Sequence, residues 1–548
     1  MDRKNVWTTY NVSQLAEVQE LGEKYKRCLD EGKTERECVK LTIQMAEAAG
    51  YRDLKTVLAE GAPLKAGDKV YAACMEKMIA LFHMGEEPIS AGMNILGAHI
   101  DSPRIDIKQN PLYENEDFAY LDTHYYGGIK KYQWVAQPMA IHGVVVKKDG
   151  TKVDVVIGEK DDDPVFCITD LLIHLSGKQL EKKAATVIEG EGLDILIGNR
   201  PLEKNEDLDE EQKATVKDNI LNILKVTYDM EEEDFLSAEL ELVPAGKARD
   251  LGLDRSMILA YGQDDRVCAF TSLFAMLETE NLVKTGCCLL VDKEEIGSVG
   301  ATGMHSRFFE NVVAELLDAM GEYSELKVRK ALANSKMLSS DVSAAFDPMY
   351  ESVFEKKNAA YFGKGLVFNK YTGSRGKSGS NDANPEYIAH LRNILSRNNV
   401  AYQTAELGKV DIGGGGTIAY ILAKYGMEVI DSGVAVLSMH APWEVTSKAD
   451  VYEAPIWIDR EMFQAYVRND SGDDYNLLSV YFNVKDDNHP PVHFMLLHTM
   501  SSIFKGRVAP FMGCVINLAA VLGICALFMK LGKLLRTHSD GVLGEQGE

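Results

Sequence analysis

Five segments of this sequence each end an apolar run, or open a helical pattern, on a residue able to bind a metal. They are His99 in GAHID, Asp264 in YGQDDR, Glu294 and Glu295 in VDKEEIG, Asp341 in SSDVS and His440 in SMHAPWE. Short apolar runs bounded by turn signals read as strands buried on both faces. MNILGAHID (93–101), GCCLLVDKEEIG (286–297), KMLSSDVSAAF (336–346) and VIDSGVAVLSMHAPWE (429–444) fit that description. Helical patterns alternate with them; DRVCAFTSLFAMLE (265–278) puts Val267, Phe270, Phe274 and Leu277 on one face. Strands alternating with helices specify a doubly wound α/β domain with a mainly parallel sheet. Such sheets bind ligands outside the carboxyl ends of their strands, so segments far apart in the chain can converge there.

The rest of the chain divides around that alternation. Residues 1–90 read as helical, with apolar residues three and four apart and glycines closing the patterns. Between about 106 and 254 the texture turns to β-branched runs. AIHGVVVKKDGTKVDVVIGE (140–159) reads as a hairpin about its Asp-Gly pair, and NEDLDEEQKATVKDN (205–219) as a solvated helix or loop. The expected organisation is a discontinuous α/β domain over 1–105 and 255–455, a β-rich insertion over 106–254 and an atypical tail over 456–548.

The 548 residues carry 59 Lys and Arg against 83 Asp and Glu, a net charge of −24. A field of that sign repels phosphate backbones and argues against nucleic acid as a partner. Nine scattered cysteines with no CxxC pair read as reduced thiols. MDRKNVWTTY has no apolar core of a secretory signal, so the expected location is cytoplasmic.

Two histidines and three carboxylates suit a pair of divalent cations, with one carboxylate bridging and positions left open for water and substrate. The mixed oxygen and imidazole set fits Zn²⁺, and Co²⁺ or Mn²⁺ can occupy it. Of the adjacent Glu294 and Glu295, one can ligate metal while the other faces the bound water as general base. Asp101, two residues after His99, can accept the second ring N–H of the histidine. Each feature also has an ordinary explanation: a structural H-x-D at a strand end, a solvated Glu pair, an Asp-Asp helix cap, a histidine in a loop. The joint placement after apolar strands is what points to a metal site.

GAHIDSPRIDIK, THYYGGIKKYQW, GQDDRVCAF, VDKEEIGSVGATG, SSDVSAAFDP and MHAPWEV occur in this order, and roughly residues 10–455 resemble the aspartyl aminopeptidase and vacuolar aminopeptidase I family, the family-18 zinc metallopeptidases, in its bacterial branch. The resemblance implies a di-zinc exopeptidase fold and an aminopeptidase acting on peptides. It implies that His99, Asp264, Glu295, Asp341 and His440 ligate two metal ions, with Asp264 bridging, Glu294 as general base and Asp101 steering His99. It further implies that 106–254 is a dimerisation domain within a tetrahedral dodecamer. The chain departs from the eukaryotic pattern at KKYQWVAQP (130–138) and at GLVFNKYTGSRGKSGSNDA (365–383). Lys364, Lys370, Arg375 and Lys377 are the candidates for a pocket favouring acidic N-terminal residues, and read equally as solvated loop charges. The glycines at 413–416 read either as a close approach to substrate or as a flexible turn. The rival functions are another hydrolase of the same clan, such as a carboxypeptidase or deacylase, and a non-catalytic assembly protein that kept the fold.

The tail fits none of this. VAPFMGCVINLAAVLGICALFM (508–529) is 22 residues long without a charge, and at ~1.5 Å per residue it spans ~33 Å, the thickness of a bilayer core. It reads as a membrane anchor, as a spurious extension, or as a helix buried in an oligomer.

Overall fold

The computed structural model describes residues 4–203, 215–374 and 376–455. The apolar runs form the centre of a nine-stranded sheet. In spatial order its strands are Arg52–Asp53, Lys69–Cys74, Met78–His83, Gly286–Val291, Asn94–His99, Lys336–Ser340, Glu428–Gly433, Leu366–Asn369 and Tyr402–Thr404. The four strands from Gly286–Val291 to Glu428–Gly433 are parallel to one another. Register aligns their carboxyl ends: His99 pairs with Val291, and Ser339 with Gly97.

Both faces are covered, which is why these runs do not alternate with polar residues. Cys287, Leu289 and Val291 point into one core with Phe309, Val313 and Leu316 of the helix Phe308–Ala319. Cys288 and Leu290 point into the other, against Tyr25, Leu29, Val39, Phe270 and Phe274. Those come from the helices Val12–Glu31, Glu35–Ala48 and Gln263–Glu278. Cys28, Cys38, Cys268, Cys287 and Cys288 are buried free thiols.

The helical reading of residues 1–90 needs correction. Helices do occupy Val12–Glu31, Glu35–Ala48 and Leu54–Glu60, but Lys69–Cys74 and Met78–His83 pair as an antiparallel hairpin. Met75 and Glu76 take positive φ (52° and 59°), which suits a tight hairpin turn. Every residue of Met78–His83 is buried between two neighbouring strands. A run that short cannot be told from a buried helix by periodicity, so tertiary context decides it.

Strands between Arg104 and Pro244 make a separate six-stranded antiparallel sheet. Its order is Lys152–Ile157, Met139–Val146, Ala238–Pro244, Arg104–Asn115, Phe118–Tyr126 and Ile195–Gly198. Val146 pairs with Lys152 across the Asp149–Gly150 turn. Of the charged stretch 205–219, residues 205–214 lie outside the described residues, and Val216–Tyr228 is helical. Buried ions seat this sheet on the first helices. Arg104 meets Glu35 (3.4 Å) and Glu241 (3.1 Å), and the His142 ring lies between Glu37 (2.8 Å) and Glu159 (3.0 Å).

A third sheet was not anticipated. It runs Arg249–Leu251, Met257–Ala260, Glu444–Ser447, Ala435–Leu437, Ser343–Ala344. Its strands abut three of the candidate ligands in sequence: Asp264, Asp341 and His440. Among the described residues no helix is long and apolar enough to cross a membrane; the segment 508–529 lies outside them.

Phe309 is wholly buried and stacks on Phe82, with centroids 6.4 Å apart. Phe309→Ala should therefore cost ~3–5 kcal/mol. Val226→Ala, at a position 76% exposed, should stay within ~0.5 kcal/mol. Urea unfolding midpoints of the two variants check this, and similar values for both would contradict the described core.

Candidate metal centre

His99 is the last residue of the central strand Asn94–His99 and is buried. Its Nδ1 lies 2.9 Å from the main-chain oxygen of Asp101 and 3.3 Å from Asp101 Oδ1. Two acceptors on Nδ1 favour the tautomer protonated there, which leaves Nε2 as the ligating nitrogen. Nε2 is 3.4 Å from Asp264 Oδ1. The main-chain carbonyl of Asp101, more than the expected carboxylate, is thus the nearer partner of the ring.

His440 repeats the arrangement from the opposite side. Its Nδ1 contacts the carbonyl oxygen of Gly128 at 2.8 Å, and its Nε2 lies 3.2 Å from Asp264 Oδ2 and 3.6 Å from Glu295 Oε1. His440 sits at φ 64°, a left-handed conformation rare outside glycine. Such strain persists only where surrounding contacts hold it. Asp264 therefore presents one carboxylate oxygen to each histidine.

The other carboxylates close around this pair. His99, Asp264 and Glu295 offer ligand atoms within 4.8 Å of one another, and so do His99, Asp265 and Asp341. Asp341 directly follows the strand Lys336–Ser340, its amide bonded to Ser432 O at 2.8 Å. Glu294 and Glu295 open a short 3-10 turn after Gly286–Val291. Asp101 holds that turn: its Oδ1 accepts the Glu294 amide (3.1 Å) and its Oδ2 the Glu295 amide (3.2 Å).

Electrostatics follow from this crowding. Burial pushes the carboxyls of Asp265, Glu295 and Asp341 well above their ordinary range, and neighbouring carboxylates add to it. Burial also works against a charged His99, but hydrogen bonds to Asp101 and Asp264 outweigh it and hold the ring well above its usual pKa. His440 is likewise driven up to about 10, against burial, by Asp264 and Glu295. Burial would raise Asp264, but the two histidines lower it. Glu294 is pushed to about 7 by burial; the histidines oppose the rise and Asp101 and Asp264 add to it. A pocket that attracts positive charge this strongly favours divalent cations, whose binding displaces protons from the ligands. Asp265 Oδ1, buried with no hydrogen-bond partner, is a further donor atom suited to a cation. The residues present fit a divalent-cation site.

Three features escaped the sequence reading. Asp265 read only as a helix cap, yet its Oδ2 lies 3.4 Å from the His99 amide, and residues 264–265 are non-helical. Glu444, four residues after His440, is buried; its Oε1 accepts the His440 amide (2.7 Å) and its Oε2 the Asp264 amide (2.9 Å). The only sequence signal was its place in the strand Glu444–Ser447. Tyr126, visible in THYYGG, donates to Asp101 Oδ2 at 2.8 Å.

Two of the four candidate basic residues face an acidic partner. Lys370 and Lys377 face Asp382 at 4.0 and 3.0 Å, and Lys377 Nζ sits 3.8 Å from the Tyr371 ring centroid. The Lys364 amide bonds Asp450. Arg375 lies outside the described residues. Gly413 and Gly414 are required by close packing: a Cβ on Gly413 would meet Leu407 O at 1.7 Å, and one on Gly414 would meet Ser374 Cα at 2.6 Å.

Residues 28–460 match the aminopeptidase I zinc metalloprotease (M18) family. A probable M18 family aminopeptidase 1 of Clostridium acetobutylicum is 65% identical over 450 residues, 82% of this chain and 96% of the relative. The crystal structure of aminopeptidase I from the same organism superposes with a TM-score of 0.77 at 61% identity, over 83% of this chain and 98% of that one. At 20% identity the S. cerevisiae mApe1 dodecamer structure shares the fold, with a TM-score of 0.63 over 79% of this chain and 94% of that one. With its parallel sheet, its clustered histidines and carboxylates and this degree of identity, the chain belongs to the aminopeptidase I zinc metalloprotease (M18) family.

Proposed function

We propose that this metal-dependent aminopeptidase removes N-terminal residues from peptides at a two-cation centre held by His99, Asp264, Glu295, Asp341 and His440, with Glu294 as the general base. The observation that carries the reading is the Asp264 carboxylate, one oxygen facing each histidine, beside a Glu294 carboxyl pushed to about 7. Bound Zn²⁺ would supply Lewis acidity toward a carbonyl oxygen and lower the pKa of water toward neutrality. Asp264 would help hold both cations, and the histidines would do so through Nε2 because Asp101 and Gly128 engage Nδ1. Glu294 needs no ligand role, since the Glu295 carboxyl is the one turned to His440. A carboxyl near 7 can accept a proton from water and return it to a leaving amine at neutral pH. Preference for acidic N-terminal residues finds no support in Lys370 and Lys377, which face Asp382.

Self-association is the second part of the proposal. The segment 165–180 exposes Val165, Leu171, Leu172, Ile173, Leu175 and Leu180, an apolar surface of the kind that marks an interface. Lys152–Ile157 is an edge strand of the inserted sheet, and edges of that kind are usually covered. The S. cerevisiae relative is a dodecamer, and a dodecamer is the assembly we propose for this chain.

Glu294→Gln should keep its metal and lose ~10²–10⁴ in kcat. Glu295→Gln should weaken one cation, with partial rescue by excess metal. Metal titration beside steady-state kinetics separates the two, and near-normal turnover by Glu294→Gln would refute its role. A scan of aminoacyl amides should show cleavage only with a free α-amine; equal cleavage of N-acetylated substrates would favour a deacylase or carboxypeptidase. Light scattering on the full chain and on a chain ending at residue 455 should report a dodecamer for at least the shorter one, and a monomer there would exclude it.

A further inference from the structure

The inserted sheet leaves the metal centre and comes back to it. Its strand Arg104–Asn115 starts three residues after Asp101, and the paired strand Phe118–Tyr126 ends at the residue whose Oη donates to Asp101 Oδ2 at 2.8 Å. Asp101 is wholly buried. Its carboxylate accepts the amides of Glu294 and Glu295 and lies 3.3 Å from His99 Nδ1. One carboxylate thus joins a candidate ligand to the turn carrying the candidate base and a second ligand. The Tyr126 ring is clamped in turn: the Arg104 guanidinium lies 3.9 Å over its centroid and is itself held by Glu35 and Glu241. The chain continues through Gly127, where a Cβ would come within 3.4 Å of Glu295 Cβ, to Gly128, whose carbonyl fixes His440.

We infer that Tyr126 is a positioning residue for the metal centre. Its hydroxyl orients the Asp101 carboxylate, and through it the His99 ring and the Glu294–Glu295 turn. The inserted sheet is therefore part of the catalytic apparatus of its own chain as well as a candidate surface for assembly. The inference rests on the two-cation reading above. A carboxylate without its phenolic donor can rotate about its Cβ–Cγ bond; both amides then lose their common acceptor, and the His99 ring is left with the Asp101 carbonyl alone. Partners at this remove from a metal are typically worth ~10–100-fold in metal affinity or activity.

The test compares Tyr126→Phe with Tyr113→Phe in the full chain. Tyr113 lies in the same hairpin and donates to Asp194 at 2.6 Å, so its variant loses a similar bond outside the contacts that join Asp101, His99 and the Glu294–Glu295 turn. Zn²⁺ affinity is read by chelator competition, alongside kcat, KM and thermal unfolding. Tyr126→Phe should bind Zn²⁺ at least ~10-fold more weakly and lose kcat by a similar factor with KM nearly unchanged. Tyr113→Phe should match the wild type. Zn²⁺ affinity and kcat within twofold of wild type for Tyr126→Phe, or equal losses in both variants, would overturn the role. Should Tyr126→Phe unfold early, Asp101→Ala decides by a double-variant cycle. The positioning role requires that Tyr126→Phe add less than twofold once the carboxylate is gone, and multiplicative losses overturn it. A wild-type chain that neither holds Zn²⁺ nor cleaves an unblocked peptide refutes the two-cation reading and this inference together. An active wild type with an unaffected Tyr126→Phe refutes this inference alone.

Discussion

Asp101, Asp264, Asp265, Glu294, Glu295 and Asp341 bring their carboxyl groups to one end of a parallel sheet, and the folded chain has to make that concentration of negative charge tolerable. Each buried charge left uncompensated costs several kcal/mol. Backbone amides answer part of it: Asp101 takes those of Glu294 and Glu295, and Glu444 takes those of Asp264 and His440. The two imidazoles answer another part, which is why both are held above their ordinary pKa. Divalent cations suit what remains.

The secondary sheets follow from the same need. The five-stranded sheet carries Glu444, which ties a helix entry to a loop through two amides. Burial and the charge of Asp264 raise the Glu444 carboxyl to about 8, while those amides oppose the rise. The inserted sheet supplies the Tyr126 hydroxyl, and the bend that follows its strand supplies the Gly128 carbonyl. Its seat on the first helices is ionic and buried, through Arg104, Glu35, Glu241, His142 and Glu159. Such pairs add little net stability over apolar packing, but removing one partner is strongly destabilising. Their geometry defines where the hairpin, and hence Tyr126, sits.

Much of this was legible beforehand. Gly286–Val291 is apolar at every position, and only a strand covered on both sides uses such a run. His99, Asp341 and the Glu294–Glu295 pair follow such runs, so strand ends could be read as ligand positions without coordinates. Lys69–His83 was misread because the five apolar residues that open Met78–His83 carry no period that separates helix from strand. Asp265 was set aside because Asp-Asp before a helical pattern is an ordinary cap, although here its carboxylate reaches the His99 amide and the Asp341 carboxyl. Glu444 and Tyr126 lie inside the quoted stretches MHAPWEV and THYYGGIKKYQW but were given no role, since a glutamate or tyrosine in a strand is usually a surface or packing residue.

The sequence by itself determined the alternation of strands and helices, the β-rich character of the insertion and the residue types offered at strand ends. These are local properties, set by side-chain periodicity over a few residues. Tertiary structure alone decided which oxygen of Asp264 faces which histidine, which nitrogen of each ring is free to ligate, and that Tyr126 and Glu444 support the site. Asp101 and Glu294 are 193 positions apart, and Asp264 and Glu444 are 180. Hydrogen bonds act over about 3 Å, and nothing in the order of residues encodes a distance that short between positions so far apart.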